Sequence, residues 1–229
     1  MLWYKGWLET RFRLLFISAL MGFILFFQYS HGTTPQAVHG IVFQSNPFLV
    51  LMVFTMLAGA GVVTQPTMAV SKGIHGSTLF TLSLPVSRLR LLGVRAGIGW
   101  LEAITMTIIF CWAFWFLSPA LRTMATPANM FSYAATLVAC SSPIYFLSVL
   151  LATFLDDQWR TWGTMMTTLA FWWLSFHTKL PATVDIFHGM GINSPLIAHA
   201  IPWSAIGFSA VLAVVLFSVA LRIVKAREY

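Results

Sequence analysis

Charge is what this chain has least of. Of its 229 residues 8% are Asp, Glu, Lys or Arg, 59% are hydrophobic, and the mean hydropathy is +0.82. Soluble domains run at about 25% charged and about 45–50% apolar, so a water-soluble globular domain is excluded and an integral membrane protein is expected. Acids are scarcest of all: six, against 13 Lys and Arg. Glu9, Glu102, Asp156, Asp157, Asp185 and Glu228 are scattered along the chain rather than paired across apolar runs. Cysteine is nearly absent too. Cys111 and Cys140 each lie inside an apolar run, which leaves no disulfide framework and no CxxC redox or zinc motif. There is no GxxxxGK[ST] phosphate loop, no HExxH and no GxSxG, so no intrinsic catalytic site and no cofactor site are expected in this chain. The basic residues do not cluster as a nucleic-acid groove requires, and nucleic acid is excluded as a partner.

What is present is apolar length. A hydrocarbon core of about 30 Å needs about 20 apolar residues in a helix, and the gaps between charges supply six candidate spans. These are 14–29, 47–69, 98–117, 130–155, 161–177 and 202–221, the first two divided by "SHGTTPQAVHG" and "QSNP". The basic n-terminal stretch suits a signal peptide, but no A-x-A-like cleavage site follows Phe27, and the first run is kept as a span. With both termini in the cytoplasm, eleven of the 13 basic residues fall inside, leaving Arg122 and Lys179 outside. The positive-inside rule therefore favours an even number of spans in that orientation. Five of the six histidines then fall outside without fixed ligand spacing, so no metal site is expected. Trp3, Trp7, Trp100, Trp159, Trp162 and Trp203 lie near expected helix ends and read as headgroup anchors.

Ahead of the first span, Tyr4, Leu8, Phe12 and Leu15 share one helical side, with Lys5, Glu9 and Arg13 opposite. This predicts an interfacial amphipathic helix over 1–13, or else a plain extension of the first span. Glu102 is the one acid expected inside the hydrocarbon. An ionisable group there is a functional candidate, although Arg95, seven residues back on the same face, offers a structural partner. Gly93, Gly97 and "AGAG" at 58–61 offer surfaces for close helix packing. The outer segment 178–201 reads either as a short returning helix, capped by Ser194 with Pro195 first, or as an interfacial loop.

The cytoplasmic segment 70–95 is too broken to span and carries no charge between Lys72 and Arg88 except His75. Ser77 is placed to cap a short helix through about Leu82, ended by Pro85, which leaves an apolar knob beneath the membrane. An exposed apolar patch of that kind marks a binding surface.

"GSTLFTLSLPVSRLRLL" resembles the segment between the second and third of six spans in ABC-2 type permeases. The likeness extends to an amphipathic start, six spans, internal termini and a partly apolar outer segment. It departs at "SKGIHGS", where family members often carry an acid. The resemblance implies an all-α membrane domain over 1–229, forming half of a dimeric export pathway in a bacterial cytoplasmic membrane. It implies a coupling helix at Gly76, Ser77, Thr78, Leu79, Phe80, Thr81 and Leu82 that docks on a separate ATP-binding subunit. ATP and Mg would be bound by that partner, and ATP hydrolysis would belong to the assembly. The other partners implied are a second permease copy, the same chain rather than a different one, and the bilayer. The rivals are a six-helix secondary carrier or channel, which should show intramembrane charges or inverted repeats, and a membrane anchor or sensor that transports nothing.

Overall fold

A computed structural model describes residues 2–31, 46–58, 88–155, 157–178 and 180–226, and among these there is no strand. Eight helices follow in chain order: α1 Leu2–His31, α2 Asn46–Leu57, α3 Arg88–Leu117, α4 Pro119–Met124, α5 Pro127–Ala152, α6 Asp157–His177, α7 Ile186–Met190 and α8 Trp203–Ala226. Among the described residues three stretches are long and apolar enough to cross a membrane: Leu92–Leu117 in α3, Pro127–Ala152 in α5 and Trp203–Ala226 in α8. Shorter apolar helices occupy Leu14–Phe26 and Pro47–Leu57. The protein is therefore membrane-embedded, and its described residues are all-helical.

Two boundaries differ from the sequence reading. Residues 2–31 form one unbroken helix, so the stretch 1–13 extends the first apolar run instead of making a separate interfacial helix. Nothing in it breaks a helix: Gly6 is its one weak former, and it has no proline. Likewise α3 begins at Arg88, ten residues before the expected start of the third span at Ile98.

The helix ends are written locally. Ser118 accepts a hydrogen bond from the Leu121 N–H and starts α4 with Pro119 in the first turn; Thr126 does the same for α5 through the Asn129 N–H, with Pro127 next. The Trp115 indole N–H donates to the Ala125 carbonyl at 3.1 Å and closes this hairpin.

α5 is the central post, in contact with α2, α3, α6, α7 and α8. Of its most apolar stretch 61% is buried, against 28% in α3 and 22% in α8, whose outer faces are left for lipid. α8 lies close along α5 because its buried positions are small: Ala205, Ser209, Ala213 and Ala220.

The described residues of 178–201, expected as the outer segment, hold one short helix, but not at the expected place. Asp185, not Ser194, supplies the cap, and α7 covers Ile186–Met190. The Ser194 carbonyl closes a turn with the Ala198 N–H, while its hydroxyl has no hydrogen-bond partner.

Candidate functional site

α6 is built the wrong way round for a soluble protein. Its fully buried positions are polar, Arg160 at 0% exposed with Thr164, Thr168 and Ser175 on the same face, while Phe171, Trp172 and Phe176 pack half-buried against the core. Its outward positions are aromatic and apolar, led by Trp159 at 68% and Trp173 at 54% exposed, with Trp162 and Met166 between. Polar side chains turned inward and apolar ones outward are what a lipid-facing helix needs.

The inward face ends in a polar cluster at each end. At the first, the Arg160 guanidinium donates from Nη1 to Ser148 Oγ of α5 at 3.0 Å and to the Thr55 carbonyl of α2 at 3.4 Å, and from Nη2 to Thr161 Oγ1 at 3.2 Å. A cation thus meets the carbonyls that end α2, where the helix dipole is negative. One turn before Ser148, the Tyr145 hydroxyl donates to the Ala96 carbonyl of α3 at 2.7 Å. Its ring packs edge-on against Phe54 of α2. Glu102 and Arg160 both lie within electrostatic reach of that hydroxyl. Arg95 is buried two turns before Glu102 on α3. The sequence candidate Glu102 thus acts electrostatically on the Tyr145 hydroxyl, as does Arg160, and neither Tyr145 nor Arg160 had been singled out by sequence reasoning. Arg95, expected as a partner for Glu102, and Arg160, counted among the cytoplasmic charges, are both buried side chains.

Gly99 makes this convergence possible. A Cβ there would fall 2.7 Å from the Tyr145 hydroxyl oxygen and 2.9 Å from the Leu57 carbonyl oxygen, so α3 meets α2 and α5 through bare backbone.

At the other end, the buried Asp185 carboxylate accepts from three donors. Oδ1 takes the Ser175 hydroxyl at 2.5 Å and the His188 backbone N–H at 3.0 Å; Oδ2 faces His188 Nδ1 at 2.5 Å. Ser, His and Asp together invite comparison with a hydrolytic triad, and the geometry rejects it. In a triad the carboxylate holds one ring nitrogen and the hydroxyl sits on the other. Here Ser175 Oγ lies 3.2 Å from the same Nδ1 that faces Asp185, and its proton goes to the Asp185 carboxylate, so no free imidazole nitrogen is aimed at the hydroxyl. The cluster fastens α6 to α7. No group of three metal-ligating side chains occurs among the described residues.

Asp185→Ala is expected to lose about 1.5–3 kcal/mol, because the carboxylate bonds are charge-assisted and the Ser175 donor stays buried. A lower melting temperature in detergent, restored in part by Asp185→Asn, is the measurement; unchanged melting of the alanine variant would show that the clasp carries no load.

No protein-family model matches the chain, and neither a curated protein nor a solved structure matches it at a significant level. The site therefore stands on its own geometry. The coupling candidates Gly76, Ser77, Thr78, Leu79, Phe80, Thr81 and Leu82 lie outside the described residues, as do the Ser77 cap and Pro85 stop.

A signal for the missed residues was present. Arg160, Thr164, Thr168 and Ser175 recur at i, i+4, i+8 and i+15, one side of a helix, inside an otherwise apolar stretch. Asp185 stands directly before Ile186 with a donor three residues on, an N-cap pattern as good as the one at Ser194.

Proposed function

We propose that this chain is the membrane subunit of an ABC-2 type exporter. It would supply six spans with both ends cytoplasmic, in a bacterial inner membrane, and form half of a dimeric pathway with a second copy. A separate ATPase chain, carrying ATP and Mg, would dock on residues 76–82. The observation that carries this reading is "GSTLFTLSLPVSRLRLL" itself, which runs into the start of α3. The rigidity of α3 supports it: one 30-residue helix begins at Arg88, six residues after Leu82, and carries Ala96, Gly99 and Glu102 into the buried cluster. A displacement of the docked segment would reach that cluster without a flexible joint inside α3.

One observation favours a second reading. Glu102, Arg95 and Arg160 are ionisable groups within the bundle, the feature a secondary carrier would use for ion coupling.

The readings separate on substitution. Leu79→Asp or Phe80→Asp places an uncompensated charge in a desolvated cleft, and the ATPase should fail to co-purify from membranes while the variant still runs as a monodisperse species. Glu102→Gln, which keeps size and hydrogen bonding, should leave coupled ATP hydrolysis near wild type. Retained co-purification by both aspartate variants would remove the exporter reading, and complete loss of transport in a well-folded Glu102→Gln would install the carrier.

A further inference from the structure

A half-open apolar groove of about 610 Å³ lies between α3, α5 and α8. Small side chains line it at Ala135, Ala139 and Ala210, and large ones at Trp100, Phe131 and Phe146. On α5 the lining runs from Phe131 to Phe146, about 22 Å at 1.5 Å per residue. A volume of about 610 Å³ over that length leaves a cross-section of about 27 Å², roughly a third of what a helix about 10 Å across needs. The groove is therefore too narrow to admit a helix of a second copy. A single hydrocarbon chain fits, and the length exceeds the depth of one leaflet, half of a core of about 30 Å.

One end of the groove leads to positive charge. Trp100 packs on Phe146 and Phe146 on Phe217, which sets α3, α5 and α8 at a common level there. α3 runs antiparallel to α5, since Ala96 meets Tyr145 and Trp115 meets Ala125. α8 runs parallel to α5: Ala205 and Cys140 both border Gly189, and Phe217 meets Phe146. The lining face of α3 continues past Trp100 through Gly93 to Arg90, which stands 18 residues, five full turns, before Ile108. The lining face of α8 continues to Lys225, three turns after Val214. Arg90 and Lys225 thus emerge at the same end, about 15 Å and about 12 Å beyond the aromatic level. Both are exposed, as is Arg222 one turn before Lys225. A Cβ on Gly93 would meet nothing within 4 Å, so the path from Trp100 to Arg90 is open. Neither wall supplies negative charge at that end: α8 contains no acid, and the one acid of α3, Glu102, lies on the far side of that helix from Ile104 and Arg90.

We propose that this flank is a binding site for one anionic phospholipid, with its phosphate at Arg90, Arg222 and Lys225 and one acyl chain along the groove. The two parts have separate roles. Lipid tails are as apolar as the groove, so the chain contributes fit and no headgroup preference. The cations contribute that preference, about five-fold each near a membrane surface. Their long stems let the charged ends reach the headgroup layer while the chain stays below it. The site requires neither nucleotide nor a transported solute, so it stands apart from the exporter reading.

Native mass spectrometry of the whole detergent-solubilised protein tests this, with phosphatidylglycerol and phosphatidylcholine of identical chains offered at equal concentration. One phosphatidylglycerol should be retained per chain, at least about ten-fold in preference to phosphatidylcholine. Arg90→Gln, Arg222→Gln and Lys225→Gln together should remove the preference and leave the two lipids equally retained. Ala135→Phe with Ala210→Phe, at exposed positions that line the groove, should lower retention of both lipids about ten-fold as the chain loses its place. Val215→Phe, equally large but away from the groove, should leave retention unchanged. Equal retention of the two lipids by the unaltered protein would overturn the site, as would a preference that survives the three glutamines or retention that survives the filled groove. Loss of a dimer on filling the groove, with lipid retention unchanged, would assign the groove to a second copy and overturn the site as well. Should the phenylalanine variants fail to fold, the unaltered protein decides: phosphatidylglycerol carrying a mid-chain diazirine should label Ala135, Ala139 or Ala210 ahead of the exposed Val215 and Phe116, and even labelling of these positions would overturn the site.

Discussion

Replacing Arg160 with alanine is expected to cost about 3–5 kcal/mol, the range for breaking a buried, hydrogen-bonded charge by removing one partner. The largest fully buried side chain of the described residues goes, and Ser148 Oγ and the Thr55 carbonyl lose their donor with no water to replace it. The melting temperature of the detergent-solubilised protein should fall by about 6–20 °C, at about 2–4 °C per kcal/mol for a chain of this size. Arg160→Met separates volume from charge. It refills the space and removes the desolvation cost of the cation, and apolar replacements of buried charges are often neutral or better for stability. If methionine melts as wild type while alanine falls, the guanidinium is not there for stability and its retention points to use. If both melt as wild type, the cluster contributes nothing measurable and the site assignment fails.

Gly99 should tolerate no side chain. A methyl at 2.9 Å from the Leu57 carbonyl oxygen cannot be relieved by rotating a bond, since the neighbour is backbone, and the Tyr145 hydroxyl on the other side is held by Ala96. Gly99→Ala is expected to cost about 1–3 kcal/mol, as overpacking of a tight site does, and Gly99→Leu more, to the point of losing the monodisperse species. Two helical glycines give the control with opposite sign. A Cβ on Gly22 or Gly207 meets nothing within 4 Å, so alanine there should be neutral or stabilising by up to about 1 kcal/mol from helix propensity. Equal melting of Gly99→Ala and Gly207→Ala would refute the close approach of α3 to α2.

How far the sequence could be read follows from what each residue answers to. The apolar runs in α3, α5 and α8 were legible because lipid imposes length and composition on any span, and both are printed in one dimension. Their ends were less so: the third span was expected from Ile98 because the charges up to Arg95 were taken to lie outside the membrane, whereas α3 begins at Arg88 and Arg95 is buried. Arg160 was misjudged for the same reason. Its burial depends on Ser148 and on the carbonyl of Thr55, 105 residues away, and no local pattern announces a backbone carbonyl left available by the end of another helix. The outer clasp turned on choosing between two good caps, Asp185 and Ser194. The carboxylate prevailed, as it takes three donors at once while the serine hydroxyl finds none.

The inverted polarity of α6 also bears on how the chain enters the membrane during synthesis. Arg160 lies in the first turn of α6, short of the helix centre, but with the threonines that follow it α6 falls outside the helices apolar enough to cross a membrane by themselves, so this segment is a poor client of the translocon when presented alone. α5 precedes it by a four-residue connection, 153–156, and carries the serine that Arg160 needs. The two therefore suit entry as a preformed hairpin, with α6 leaving the translocon only once its polar side is already covered.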